Sequence, residues 1–242
     1  MTEREPMIEA VDLCKHYGSF AAIDHLSFTI RRGEVVAFLG PNGAGKSTTM
    51  KVLSGYLSPT SGSARLCGVD VVKDRVCAAE KLGYLPENGP LYPEMTPREL
   101  LTFFGEARGL AAAKLAERLD FVTRECDLGE LLDKPIGTCS KGQKQRVGMA
   151  QALLHDPEVL ILDEPTTGLD PNQIRHVRDL VKKLGETRTV LLSTHLFQEV
   201  EAMASRVLLV SAGKLAFDGT PEQFKARGAG KMDQAFHALT TN

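Results

Sequence analysis

Residues 40–48 read GPNGAGKST, directly after the apolar run VVAFL at 35–39. Glycine in ordered chain costs backbone entropy, so three of them in nine residues need a reason. The stretch fits G-x-x-x-x-G-K-[ST], and average residue usage makes a chance match in a chain this long roughly one in a hundred. VVAFL is continuously apolar, as a buried strand is, and Met50, Leu53 and Leu57 recur at helical spacing. A glycine loop between a strand and a helix lets successive N–H groups face inward, with the positive helix end behind them. That is a cradle for phosphate. Lys46 would reach the β- and γ-phosphates of a nucleotide and Ser47 would ligate Mg²⁺.

Moving outward, residues 8–39 read as strands joined by turns, and ARLCGVDV at 64–71 reads as one further strand-like piece. Residues 86–97, PENGPLYPEMTP, hold four prolines and are expected to be irregular. Their apolar members Leu91, Tyr92 and Met95 either pack inward or form a docking patch. Thr96 and Glu99 match a capping box with Pro97 at the first helical position, predicting a helix with Leu100, Phe103, Phe104 and Ala107 on one face. Ser140 and Gln143 match a second box, opening a helix that ends before His155-Asp156-Pro157. VLILDE at 159–164 is a buried strand, and Asp170-Pro171 opens a helix with Ile174, Val177, Val181 and Leu184 on one face. TVLLSTH is a strand running into a helix, and RVLLVSAGKLAFDG reads as a hairpin. Strands alternating with helices in the second half imply a parallel sheet, with the strand-rich start and the helical run at about 96–155 as additions to it.

Composition sets outer limits. The 242 residues allow a sizeable core; 43% are hydrophobic and 25% charged, and the net charge of −2 gives no argument for nucleic acid. No apolar run approaches bilayer length, and the N-terminal MTEREPMIEA lacks a signal core, so a cytoplasmic protein is expected. The five cysteines are scattered without a CxxC pair, which suggests neither a zinc site nor a disulfide framework.

The second site-forming stretch is VLILDE. A buried strand there delivers Asp163 to the carboxyl edge of the sheet, where ligands of open α/β sheets bind. Asp163 can hold Mg²⁺, directly or through water, and Glu164 can orient or deprotonate an attacking water. His195 follows the strand TVLLS, and a histidine read in isolation there is more often structural than catalytic.

CSKGQKQRVGMAQALL, then VLILDEPTTGLDP, then LLSTH resembles the signature, Walker B, D-loop and switch-histidine series of ATP-binding cassette (ABC) proteins, in order and spacing from about Ile8 to Gly219. The resemblance implies a P-loop NTPase core with a mostly parallel sheet, an N-terminal antiparallel β subdomain and an inserted α-helical subdomain at about 96–155. It implies one ATPase domain over 5–228 and a short tail at 229–242. ATP would be bound by Gly40, Pro41, Asn42, Gly43, Ala44, Gly45, Lys46, Ser47 and Thr48, with Tyr17 stacked on adenine. Mg²⁺ would be held by Ser47 and Asp163, joined by Glu87 where the family usually carries glutamine. Glu164 and His195 would be catalytic, His195 bonding the γ-phosphate. Two cassettes, identical or paired, would sandwich the nucleotides, with Ser140, Lys141, Gly142 and Gln143 of one reaching the γ-phosphate of the other and Asp170 linking the sites. Ser140 and Asp170 also fit as plain caps of their own helices. Cys139 and Lys141 replace the family's leucine and first glycine of the signature pair. The segments around GYLPENGPLYPEMT and the tail MDQAFHALT look most like ATPase subunits of exporters with a separate permease, of the antibiotic-resistance and gliding-motility type. Such a subunit sits on the inner face of the cell membrane through that permease. The competing reading is a soluble ABC ATPase of translation or DNA repair, against which stand the single cassette and the lack of a heptad run.

Lys46→Ala is expected to remove tight ATP binding, because the phosphate charges lose a buried cation. Titration with a fluorescent ATP analogue measures this, and near wild-type affinity would overturn the phosphate-loop assignment.

Overall fold

The computed structural model describes residues 4–87 and 89–241. The expectations touching Met1–Glu3, Asn88 and Asn242 lie outside the described residues. The apolar strand before the glycine loop, β3 (Val35–Leu39), is buried along its whole length. It lies inside a six-stranded sheet of order β10-β9-β3-β8-β7-β6, with β6 (Leu82–Leu85), β7 (Val159–Asp163), β8 (Thr189–Ser193), β9 (Arg206–Ser211) and β10 (Lys214–Gly219). All neighbours in it are parallel except the β9–β10 hairpin. Because both faces of this sheet are covered, its strands read as unbroken apolar runs while still alternating by face. Val36 and Phe38 of β3, with Val159 and Ile161 of β7, enter the core beneath the N-terminal sheet. Leu160 and Leu162 enter a second core built with the inserted helices.

The N-terminal sheet is antiparallel, order β2-β1-β4-β5, from β1 (Pro6–Tyr17), β2 (Phe20–Arg31), β4 (Ser61–Leu66) and β5 (Val69–Asp70). The single strand expected at 64–71 is instead a tight hairpin. Cys67 and Gly68 both have positive φ, 48° and 77°, as a two-residue primed turn requires. Between the sheets runs α1 (Lys46–Leu53), with Met50 and Leu53 fully buried. A short α2 (Arg75–Lys81) leads into β6.

The inserted helices are α3 (Pro97–Ala107), α4 (Ala112–Glu125), a single 3₁₀ turn at Ile136–Thr138, and α5 (Lys141–Leu153). Both predicted capping boxes form, at Thr96/Glu99 and Ser140/Gln143. The face of α3 departs from expectation. Leu100, Leu101 and Gly105 are buried, whereas Phe103 is 51% exposed and Ala107 is exposed. The cause is Gly105, where a Cβ would stand 2.3 Å from Leu115 Cδ1 of α4. The close approach at that point turns the helix onto its 101/105 side. In the proline loop, Tyr92 is exposed while Leu91 and Met95 are half-buried against the helical core.

After β7 comes α6 (Pro171–Gly185), capped by Asp170, with Val177, Val181 and Leu184 buried and Ile174 half-buried. Then follow α7 (Phe197–Met203), α8 (Pro221–Ala226) and α9 (Met232–Thr240). A third core joins β9 and β10 to the last helices, with Phe224, Met232 and Ala235 buried in it. Thus α9 is packed onto the sheet rather than trailing from it. All five cysteines are free thiols. Among the described residues, no helix is long and apolar enough to cross a membrane.

His155, just past α5, pins the helical insert to the sheet through a ring nitrogen 2.9 Å from Leu82 O. Burial, with Arg108 nearby, pushes its pKa down to about 4 from 6.5. The folded protein therefore keeps His155 neutral at pH values where the unfolded chain protonates it. Stability from this group is complete above pH 6.5 and is lost as pH falls toward 4. Denaturant unfolding should show a loss of about 2 kcal/mol between pH 7 and pH 5 that His155→Gln lacks. An equal slope in both proteins would refute this reading of His155.

Candidate functional site

The phosphate loop is built by close backbone approach. Gly43 and Gly45 have φ of 79° and 102°. A Cβ on Gly45 would stand 2.2 Å from Ala22 O, so the loop is seated directly on β2. Gly45 is the N-cap of α1, and Thr49 N–H, at 2.8 Å from its carbonyl, makes the first bond of the helix. The N–H groups ahead of it in the first turn are those a helix leaves for a ligand. Lys46 is 9% exposed, and its Nζ donates to Gly40 O at 2.6 Å and Pro41 O at 3.1 Å. Burial pulls the lysine pKa down, while Glu164 and Asp163 pull it up.

On the neighbouring strands the parallel register sets Asp163 of β7 beside Ser193 of β8. Asp163 is 3% exposed and accepts from Ser193 Oγ at 2.6 Å. The same Oγ accepts from Glu164 N–H at 2.9 Å. Glu164 has φ of 51°, a left-handed conformation that a non-glycine residue holds only where its surroundings fix it. Its Oε2 accepts from Thr167 Oγ1 at 3.0 Å and lies 2.8 Å from His195 Nδ1. Beneath these loops Glu199 of α7 is fully buried and takes hydrogen bonds from Thr166 Oγ1 and Thr194 Oγ1, the latter at 2.6 Å. One carboxylate thus ties together the segments that present Glu164 and His195.

These groups converge on a cleft of about 380 Å³ lined by Tyr17, Asn42, Gly43, Gly45, Lys46, Ser47, Thr48, Glu87, Glu164 and His195. Gly40, Pro41 and Ala44 form the loop behind it, and Asp163 lies below Glu164. Ser47, Asp163, Glu164 and Glu87 offer only hydroxyl and carboxylate oxygens, a donor set that suits hard Mg²⁺. Phe20, opposite Tyr17 in the β1–β2 register, lines the same cleft and was missed by sequence reasoning, although GSF follows the turn directly. Ser193, Thr167 and Glu199 were also missed. A serine inside LLST and a glutamate on a short helix carry no signal without the strand order.

Ser140, Lys141, Gly142, Gln143 and Asp170 are not part of that cleft. Ser140 caps α5, accepting from Gln143 N–H at 3.2 Å, and Asp170 caps α6, accepting from Asn172 and Gln173 N–H at 2.9 and 3.0 Å. A Cβ on Gly142 would stand 2.3 Å from Gln173 Oε1, and one on Gly168 would stand 2.5 Å from Lys141 Nζ. Lys141 therefore lies across Gly168 of its own chain. A larger groove, about 480 Å³, runs between α5 and α6 past Gly142 and Asp170 and contains no phosphate-loop residue.

The family described as "ABC transporter" matches residues 23–167. The chain is 39% identical over 248 residues to the "Probable multidrug ABC transporter ATP-binding protein YbhF" of Escherichia coli K12, covering 98% of this chain and 42% of that protein. The chain thus spans less than half the length of that relative. It is 36% identical over 225 residues to the linearmycin resistance ATP-binding protein LnrL of Bacillus subtilis strain 168, covering 93% of this chain and 72% of LnrL. A solved ATP binding subunit of an ABC transporter superposes with a TM-score of 0.88 at 30% identity, covering 96% of this chain and 99% of that one.

Ser193→Ala should lower ATP turnover while leaving ATP affinity nearly unchanged. One buried hydrogen bond to a charged group is worth about 1.5–3 kcal/mol, or roughly 10–100-fold if it serves positioning. Steady-state kinetics beside a binding titration tests this; unchanged turnover would remove Ser193 from the site.

Proposed function

Because this chain belongs to the ABC transporter family, we propose that it binds and hydrolyses ATP to power transport, in the export direction, through a permease on a separate polypeptide. The observation that carries the reading is the single cleft in which Lys46, Ser47, Glu164 and His195 meet. The left-handed glycines turn N–H groups toward the phosphates. Lys46 exchanges the Gly40 and Pro41 carbonyls for β- and γ-phosphate oxygens. Tyr17 and Phe20, both exposed at the mouth, supply faces on which adenine stacks. Ser47, Asp163 and Glu87 would hold Mg²⁺, which would supply positive charge to the phosphate oxygens.

Glu164 takes the proton of the attacking water on a carboxylate already oriented by Thr167 and His195. With Nδ1 turned to Glu164, His195 has Nε2 for the γ-phosphate. The signature residues Ser140, Lys141, Gly142 and Gln143 lie outside the cleft of their own chain, so they serve a second cassette in a closed dimer, and Asp170 lies at the same junction. The names of YbhF and LnrL, multidrug and linearmycin resistance, support export. Exposed Tyr92 on the proline loop that runs from Glu87 to α3 is a contact for the permease, which would hold the subunit at the cytoplasmic face of the membrane.

Glu164→Gln is expected to bind ATP with near wild-type affinity and to hydrolyse it about 10²–10⁴-fold more slowly, since the amide is no base. Light scattering with ATP and Mg²⁺ should then find dimers. Unimpaired turnover would overturn the base assignment, and a persistent monomer would overturn the paired cassette.

A further inference from the structure

On the β1–β2 hairpin, three ligand-type side chains that do not line the nucleotide cleft meet. Cys14 Sγ, a carboxylate oxygen of Asp24 and a ring nitrogen of His25 all lie within 4.8 Å of one another. They belong to no phosphate-loop, signature or strand-end acidic segment, and no CxxC spacing announces them. They come together because β1 and β2 are irregularly paired here. The register shifts between Ala10 and Leu13 and again between Leu13 and Lys15, and Asp12 and His25 both hold left-handed backbone, φ 49° and 54°.

We propose that Cys14, Asp24 and His25 form a site for a borderline-soft divalent transition metal, Zn²⁺ being the ion that fits best. A thiolate, an imidazole and a carboxylate are the mixed S/N/O set that zinc takes, and Mg²⁺ or Ca²⁺ does not take sulfur. The ring is already arranged for the task. Asp12 Oδ1 is 2.6 Å from His25 Nδ1, which leaves Nε2 as the ligating nitrogen. That is the carboxylate–histidine–metal relay that fixes tautomer and ring orientation. Nε2 stands 3.8 Å from Asp24 Oδ1, while Lys214 Nζ holds the other oxygen, Oδ2, at 3.1 Å. Asp24 therefore turns one oxygen toward the histidine and satisfies the other elsewhere.

Ligands around a tetrahedral zinc are about 3.3–3.8 Å apart, from metal–ligand distances near 2.0–2.3 Å. The spacing here needs a shift of about an ångström or less. The exposed His25 side chain can supply that shift, and Cys14 beneath it is buried and fixed. Three protein ligands leave the fourth position to water. The clamp would join β1 to β2 beside Ala22, the residue on which Gly45 rests.

Zinc titration of the full chain, stripped by chelator and then competed against a chromophoric indicator, tests the site. Cobalt(II) serves as the spectroscopic probe. The expected result is one equivalent of Zn²⁺ bound without nucleotide, and a sulfur-to-cobalt charge-transfer band. Cys14→Ser should abolish the band, and His25→Ala, at an exposed position that leaves the core intact, should abolish stoichiometric binding. Asp12→Asn should weaken affinity about 10–100-fold. Cys77→Ser should change nothing. Absence of stoichiometric binding, a spectrum without the sulfur band, or binding that survives His25→Ala would each overturn the proposal.

Discussion

The site depends first on one lateral alignment. In the parallel pairing of β7 with β8, Asp163 and Ser193 are neighbours, and the serine hydroxyl spans the two strands. It donates to the carboxylate of Asp163 and accepts from the N–H of Glu164, so it fixes the last residue of β7 and the first residue beyond it together. A slip of one residue in β7 would move Asp163 to the other face of the sheet, and a slip in β8 would move Ser193. The buried apolar side chains of both strands, Val159–Leu162 and Val190–Leu192, make such a slip costly. The left-handed turn at Glu164 is tolerable because its N–H and its carboxylate are both held.

Charge is handled by the same economy of placement. Lys46 is nearly buried, and burial lowers its pKa while Glu164 and Asp163 raise it; its Nζ donates to two main-chain carbonyls. Glu199 is buried more completely and is reached by two threonine hydroxyls from separate loops. A buried carboxylate without such partners would cost several kcal/mol. The two hydrogen bonds of Glu199 therefore hold the two loops to one point of α7.

Much of this was legible in the order of residues. Local signals survive translation into structure: the apolar runs VVAFL and VLILD became central strands, and Thr96, Ser140 and Asp170 became caps, because each depends on neighbours within a few positions. What depended on distant partners was not legible. Phe103 satisfied helical spacing, yet Leu115 of another helix filled the gap at Gly105 and settled which side of α3 is inside. Ser193 became important only through the order of strands. Cys14 and His25 lie eleven positions apart, and an irregular hairpin, not their spacing, brought them to one place. Lys141 could be recognised as a departure from the signature pattern, but its resting place over Gly168 is a fact of tertiary packing.

That resting place has a mechanical consequence. Gly142 abuts Gln173 and Gly168 abuts Lys141, with no room for a methyl group at either contact unless those side chains shift. The beginning of α5 and the turn that leads into α6 are thus meshed like two teeth. A side chain added at either glycine would therefore press on both segments at once, the capped start of α5 and the turn before the cap of α6.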